Sequence, residues 1–228
     1  MNNIAEQLQL AYHNLAQKCA VLSVNADKIQ LLAVSKTKAA SDVMQAYHAG
    51  QRHFGENYPQ ELADKATELA HYNDICWHFI GPLQSNKTKL VAQNAQWVHS
   101  LDRLKIAQRL NEQRPDNLGK LKVLLQINIS AEDTKAGIAA SDMLSLAAAI
   151  SALPQLELKG LMAIPAPGHS ESAFAAMQQL SIQLQQHYPQ ASELSMGMSD
   201  DWPLALTYGA TMIRLGTAIF GARDYQQE

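Results

Sequence analysis

Lys36 closes the run LLAVSKT, an unbroken apolar segment that ends in an ammonium group. Read as a strand, its alternation puts Lys36 on the face shared by Leu32 and Val34. Two readings stay open: a lysine marking the strand's exit into solvent, or an amine crowded by apolar surface. Crowding disfavours the ammonium form, and an uncharged amine attacks carbonyl groups to form a Schiff base. Lys38 is read either as a cationic neighbour of that amine or as a solvated loop residue. Arg214 interrupts the apolar stretch TMIRLGTAIFG. A guanidinium keeps its proton there and needs an acceptor, either a structural carboxylate or an atom of a bound ligand. Ser199 in GMSDD and the pair Gly216–Thr217 in LGT offer hydroxyls and close backbone N–H groups, which suit an anion such as phosphate. Together these residues ask for a ligand with an aldehyde, a ring acceptor and a phosphate. Pyridoxal 5′-phosphate (PLP) has all three.

Other reactive residues carry less. His78 in WHFIGP reads first as a packed core histidine, and Lys87 and Lys89 in QSNKTK as a solvated loop running into a helix. The eight histidines show no HExxH or similar ligand spacing, so no metal site is expected. Cys19 and Cys76 lie far apart and form no CxxC pair, which argues against a disulfide framework and against a thiolate zinc site.

The elements that must position these residues alternate regularly. After an opening helix over about residues 2–23, eight short β-rich runs follow, among them IQLLAVSKT, RHFGEN, CWHFIGP, LKVLLQINIS and ELSMGMS. Each is followed by a helical pattern except the last, TMIRLGTAIFG, which meets the chain end. The helix after the first strand is expected to run from Ser41 as N-cap to Gly50 as C-cap. Strands such as KVLLQINI are apolar on both faces, as parallel strands covered by helices are. No GxGxxG follows the first strand, which weakens an open dinucleotide-binding sheet. The expected fold is α/β, a single (β/α)8 TIM barrel with an extra N-terminal helix, spanning 1–228 as one domain. Its active face lies at the carboxyl ends of the strands, and phosphate often docks after strands seven and eight. That rule gathers Lys36, Glu56, Asn57, His78, Gly81, Pro82, Asn128, Ser130, Met162, Pro165, Ser199, Arg214, Gly216 and Thr217.

Composition narrows the class. The 228 residues are 47% hydrophobic and 17% charged, enough for a substantial core. A formal net charge of −3 provides no basic field for a sequence-independent nucleic-acid binder. No run approaches the roughly 18 apolar residues of a membrane span, and MNNIAEQLQLAYHNLA lacks a secretory apolar core. A cytoplasmic monomer, with no nucleic-acid or membrane partner, is expected.

With these residues in hand the chain resembles the YggS/PROSC family of PLP-binding proteins, the pyridoxal phosphate homeostasis proteins. AVSKTK, FGENYPQE, WHFIGPLQSNK, QINIS, GLMAIPAP, MGMSDD and RLGTAIFGAR occur in family order over nearly the whole chain. The resemblance implies a barrel similar to the N-terminal domain of alanine racemase, with Lys36 as the internal aldimine lysine. It further implies phosphate contacts from Ser199, Gly216 and Thr217, Arg214 facing the pyridine nitrogen, and Asn57 beside the cofactor. Lys135 in DTKAGI matches a family lysine for which a part in cofactor transfer is expected. The helix after GMSDD begins WPLAL, more apolar than the family pattern, and DTKAG has alanine where serine is commoner.

These implications favour a carrier over an enzyme. PLP enzymes that stabilise carbanions usually set a carboxylate against the ring nitrogen, and an arginine there weakens the electron sink. Alanine racemase tolerates such an arginine but adds a second domain with a tyrosine acid/base, whereas this chain ends a few residues past its eighth strand. The expectation is a non-catalytic PLP-binding protein in vitamin B6 homeostasis, with PLP-dependent apo-enzymes as recipients. The rivals are a low-activity PLP-dependent amino-acid racemase and, behind it, a Schiff-base aldolase using Lys36 with Glu56.

Overall fold

The computed structural model describes residues 3–130 and 136–222. Eight parallel strands close into a barrel in chain order: β1 (Gln30–Val34), β2 (His53–Glu56), β3 (Cys76–Phe79), β4 (Trp97–Leu101), β5 (Leu121–Gln126), β6 (Leu156–Met162), β7 (Glu193–Ser195) and β8 (Met212–Leu215). The seam joins β1 to β8, with Leu32 opposite Arg214. This is the (β/α)8 barrel that the alternating pattern predicts. Its helices are α1 (Ile4–Leu22), α2 (Ala40–His48), α3 (Pro59–Glu68), α4 (Thr88–Asn94), α5 (Leu104–Gln113), α6 (Met143–Ser151), α7 (Ser170–His187), α8 (Trp202–Thr207) and α9 (Thr217–Phe220).

Side-chain alternation builds two apolar layers. Leu31 and Ala33 of β1, Phe54 of β2, Phe79 of β3 and Ile213 of β8 face outward and bury against helix residues such as Val43, Leu62 and Phe174. Leu32, Trp97, Leu124, Met162 and Met212 face inward and fill the barrel. The extra helix α1 is anchored by Asn3, whose side chain accepts the Glu6 N–H at 3.3 Å, and it buries Leu8, Leu15 and Cys19.

The boundaries differ from the sequence reading in three places. Helix α2 starts at Ala40, so Ser41 sits in its first turn rather than at the cap, and Ala49 is the C-cap. Strand β7 stops at Ser195 because Gly197 turns the chain at φ 91°, with Trp202 and Ala205 packed where a Cβ would be. Ser199 therefore lies in the turn beyond the strand. Strand β8 stops at Leu215, and Gly216 and Thr217 open α9, a short helix after the final strand where the pattern predicted only the chain end.

Candidate functional site

Lys36 lies two residues beyond β1, half-buried, between two residues that are firmly held. Ser35 is fully buried: its N–H donates to the Gly55 carbonyl at 3.0 Å and its hydroxyl to Glu56 Oε1 at 2.6 Å. From α3, Lys65 Nζ donates to the Ser35 carbonyl and to Glu56 Oε1, both at 2.8 Å, and to Glu61 Oε2 at 3.3 Å. Glu61 also accepts the N–H of Thr37 at 2.8 Å, and Thr37 takes a left-handed φ of 61°. Lys38 Nζ donates to the Ala222 carbonyl at 2.9 Å, so it ties the loop after β1 to the segment after α9. Glu56, on the outward face of β2, is wholly buried. Loss of water pushes its carboxyl up, against the opposing pull of Lys65 and Ser35.

Arg214 stands inside the barrel and is buried. Nη1 donates to the Ser195 carbonyl at 3.0 Å and to Ser195 Oγ at 2.7 Å, and Nη2 donates to the Ala163 carbonyl at 3.0 Å. Among the described residues no carboxylate lies at ion-pair distance from it, and the Nε–H finds no acceptor. Burial brings the guanidinium pKa down to about 10, still charged at neutral pH.

From Ser195 a chain of imidazoles runs back through the barrel. Ser195 Oγ meets His99 Nδ1 at 2.9 Å, His99 Nε2 meets His78 Nδ1 at 2.9 Å, and His78 Nε2 meets His53 Nδ1 at 2.9 Å. Guanidinium can only donate, so Ser195 Oγ accepts from Arg214 and passes its own proton to His99 Nδ1. Each imidazole then donates from Nε2 to the next. Burial keeps His78 and His99 well below the usual imidazole range, hence neutral, as this arrangement requires. His78 is thus the packed interior histidine that its aromatic flanks predict.

At the mouth, Gly216 packs against the end of β1: a Cβ there would lie 3.3 Å from the Val34 carbonyl oxygen. Ser199 and Thr217 are exposed on the loops after β7 and β8. Asn57 Oδ1 is buried with no hydrogen-bond partner, and Gly81 approaches so closely that a Cβ would come within 2.1 Å of the Asn57 carbonyl. Asn128 and Ser130 follow β5, where Ser130 Oγ accepts the Ala166 N–H at 3.1 Å and joins the fifth and sixth loops. Lys87 and Lys89 are exposed, away from any buried partner. Lys135 lies outside the described residues.

The mouth therefore gathers Lys36, Asn57, Ser199, Arg214, Gly216 and Thr217 at the carboxyl ends of the strands. An orphaned Asn57 oxygen, an uncommitted Arg214 N–H and a Cβ-free Gly216 beside β1 fit a polar ring with an anionic tail. Lys65, Ser35, Ser195 and His99 were not singled out by the sequence. Their available signal was positional: Lys65 falls on the apolar stripe of α3 with Leu62, and His99 falls two residues after inward-facing Trp97.

The family model of the alanine racemase N-terminal domain matches residues 9–224. The chain is 52% identical to the pyridoxal phosphate homeostasis protein of Haemophilus influenzae, over 98% of this chain and 97% of that one. It is 49% identical to the pyridoxal phosphate homeostasis protein of Escherichia coli K12, covering 100% of both. The PLP-bound structure of PipY from Synechococcus elongatus superposes with a TM-score of 0.78 at 40% identity, over 91% of this chain and 100% of PipY. Alanine racemase from Corynebacterium glutamicum superposes with a TM-score of 0.72 at 15% identity, over 62% of its length, a likeness of fold alone.

Proposed function

The chain belongs to the pyridoxal phosphate homeostasis protein family, and on that premise we propose that it holds PLP through the Lys36 amine as a carrier rather than as an enzyme. The cofactor supplies an aldehyde that condenses with a primary amine, with loss of water. Lys36 is the amine in this reading. Ser199, Gly216 and Thr217 grip the phosphate, Asn57 lies beside the ring, and Arg214 meets the ring nitrogen.

The observation that carries the carrier reading is Arg214. Its guanidinium is buried and pinned by Ser195 and Ala163, and Asp201 acts on it only at a distance, with no ion pair among the described residues. A fixed cation facing the ring nitrogen keeps that nitrogen unprotonated and withdraws few electrons from a developing carbanion. Exposed Ser199 and Thr217 leave the phosphate side open to water, which suits loading and release to apo-enzymes.

Reduction of the PLP-treated protein with borohydride, followed by peptide mass analysis, tests the site. A phosphopyridoxyl mass on the peptide containing Lys36 is expected, and its appearance only on other lysines would defeat the assignment. Deuterium exchange at the α-carbon of alanine or serine tests the carrier reading, and sustained turnover would favour a racemase. Transfer is read by mixing loaded protein with a PLP-dependent apo-enzyme in the presence of a free-PLP scavenger. Reactivation under those conditions supports delivery, and reactivation only without scavenger argues for simple release.

A further inference from the structure

At the barrel's amino-terminal end, opposite the mouth, a second constellation of reactive groups converges. His53 opens β2 and Cys76 opens β3, and the two face each other across the strand pair. His78 follows on the same face of β3. His53 Nδ1, Cys76 Sγ and His78 Nε2 all lie within 4.8 Å of one another, with the two nitrogens 2.9 Å apart and Sγ 3.5 Å from His78 Nε2. We propose that these three atoms form a binding site for one divalent ion of the zinc class, separate from the mouth and from anything bound there.

Tetrahedral zinc takes nitrogen at about 2.0–2.1 Å and sulfur at about 2.3 Å, so its ligand atoms sit roughly 3.3–3.7 Å from one another. Cys76 Sγ and His78 Nε2 already have that spacing at 3.5 Å, and the His53 ring must move about 0.4 Å or more from His78 and draw toward Sγ to complete it. Two imidazoles and a thiol select zinc, cobalt or copper over magnesium or calcium, which demand oxygen. All three donors stand on paired strands, a rigid frame for a metal. His78 has the outer support that metal-bound histidines have: Nδ1 meets His99 Nε2, and its ring stacks on Trp97 at 5.5 Å and 10°. His53 and Cys76 are half-exposed, which gives the ion a route in and leaves a fourth position for water. The sequence expectation of no metal site considered only ligands close along the chain, and here two strands supply them.

Binding has a defined proton balance. Cys76 loses its thiol proton to solvent as the sulfur–metal bond forms, so one proton is released per ion. His78 gives its Nε2 lone pair to the ion and must carry its proton on Nδ1, facing His99. The imidazole chain then reverses, and Ser195 Oγ accepts from both His99 and Arg214. Lys122 opposes the ion: its ammonium, 5.1 Å from the Trp97 ring centroid, acts electrostatically on all three donors.

The full chain, freed of metal by chelation and titrated with Co2+, tests the site by difference spectroscopy against the metal-free protein. Saturation at one equivalent is expected, with intense four-coordinate ligand-field bands, a thiolate-to-cobalt charge-transfer band, release of one proton and displacement by Zn2+. Cys76→Ser should lose the charge-transfer band and bind more than about a hundredfold more weakly, beyond what the loss of an outer-shell partner alone costs. Lys122→Met should bind more tightly, a change that a purely structural cluster would not produce. Far-UV circular dichroism establishes that each variant is folded, and His53→Ala replaces Cys76→Ser if the latter is not. Weak octahedral spectra, no saturable binding, or a thiolate band that survives Cys76→Ser would overturn the proposal.

Discussion

Lys65 Nζ sits 2.8 Å from the carbonyl oxygen of Ser35, the residue next to Lys36, and reaches Glu56 Oε1 at the same distance. A lysine on the helix side of the barrel thus fixes the backbone that delivers the lysine of the mouth. Replacing it by methionine keeps its length and removes its charge, stranding a buried Glu56. Lys65→Met should cost about 3–5 kcal/mol in urea unfolding, as breaking a buried pair does. A loss below about 1 kcal/mol would mean that the contact holds nothing.

Glu56 makes stability depend on pH in an unusual sense. Burial holds its carboxyl above the ordinary value of 4.5. The native state therefore keeps a proton over a range in which the unfolded chain has lost it. The stability this adds is fully present below pH 4.5 and is lost as pH rises through the folded pKa. Glu56→Gln removes the dependence, so its stability relative to the parent should improve as pH rises through that window. Parallel stability–pH curves for the two proteins would contradict the raised carboxyl.

Lys36→Ala removes the amine and leaves Arg214, Ser199, Gly216 and Thr217 in place. The absorbance of the covalent linkage should disappear while weaker binding of PLP persists, detectable by equilibrium dialysis. Unchanged absorbance would take Lys36 out of the account.

Ser199→Ala and Thr217→Ala each delete one exposed hydroxyl at the mouth. Each should weaken PLP retention by roughly 0.5–3 kcal/mol, the worth of one hydrogen bond to a charged group. Stability should be almost unchanged, because neither side chain is buried. Retention equal to the parent in both variants would remove the phosphate from the last two loops.

Strand identity was legible because the chain alternates so regularly. The inward placement of Leu32 and Arg214 follows from period two alone, and Leu32 does lie opposite Arg214 across the seam. Caps and strand ends were less legible. Ser41 is a good capping residue, yet Ala39 caps α2, since the preceding turn and not the side chain decides where the helix starts. The expected extension of β7 to Ser199 failed at Gly197, whose positive φ serves packing against α8 and carries no mark in the strand pattern. The role of Lys65 was hidden for another reason: a lysine on a helix reads as solvated until the fold shows that its stripe is buried against Ser35 and Glu56.

The seam between β1 and β8 has a consequence for biosynthesis. A ribosome extrudes the strand leading to Lys36 early and the strand bearing Arg214 last, and the two become neighbours only when the barrel closes. On the proposed reading, a nascent chain carries the Lys36 amine before Arg214 is in place to complete the site. If the two act together as proposed, capture waits for β8 to pair with β1, and a loaded molecule is one whose barrel has closed.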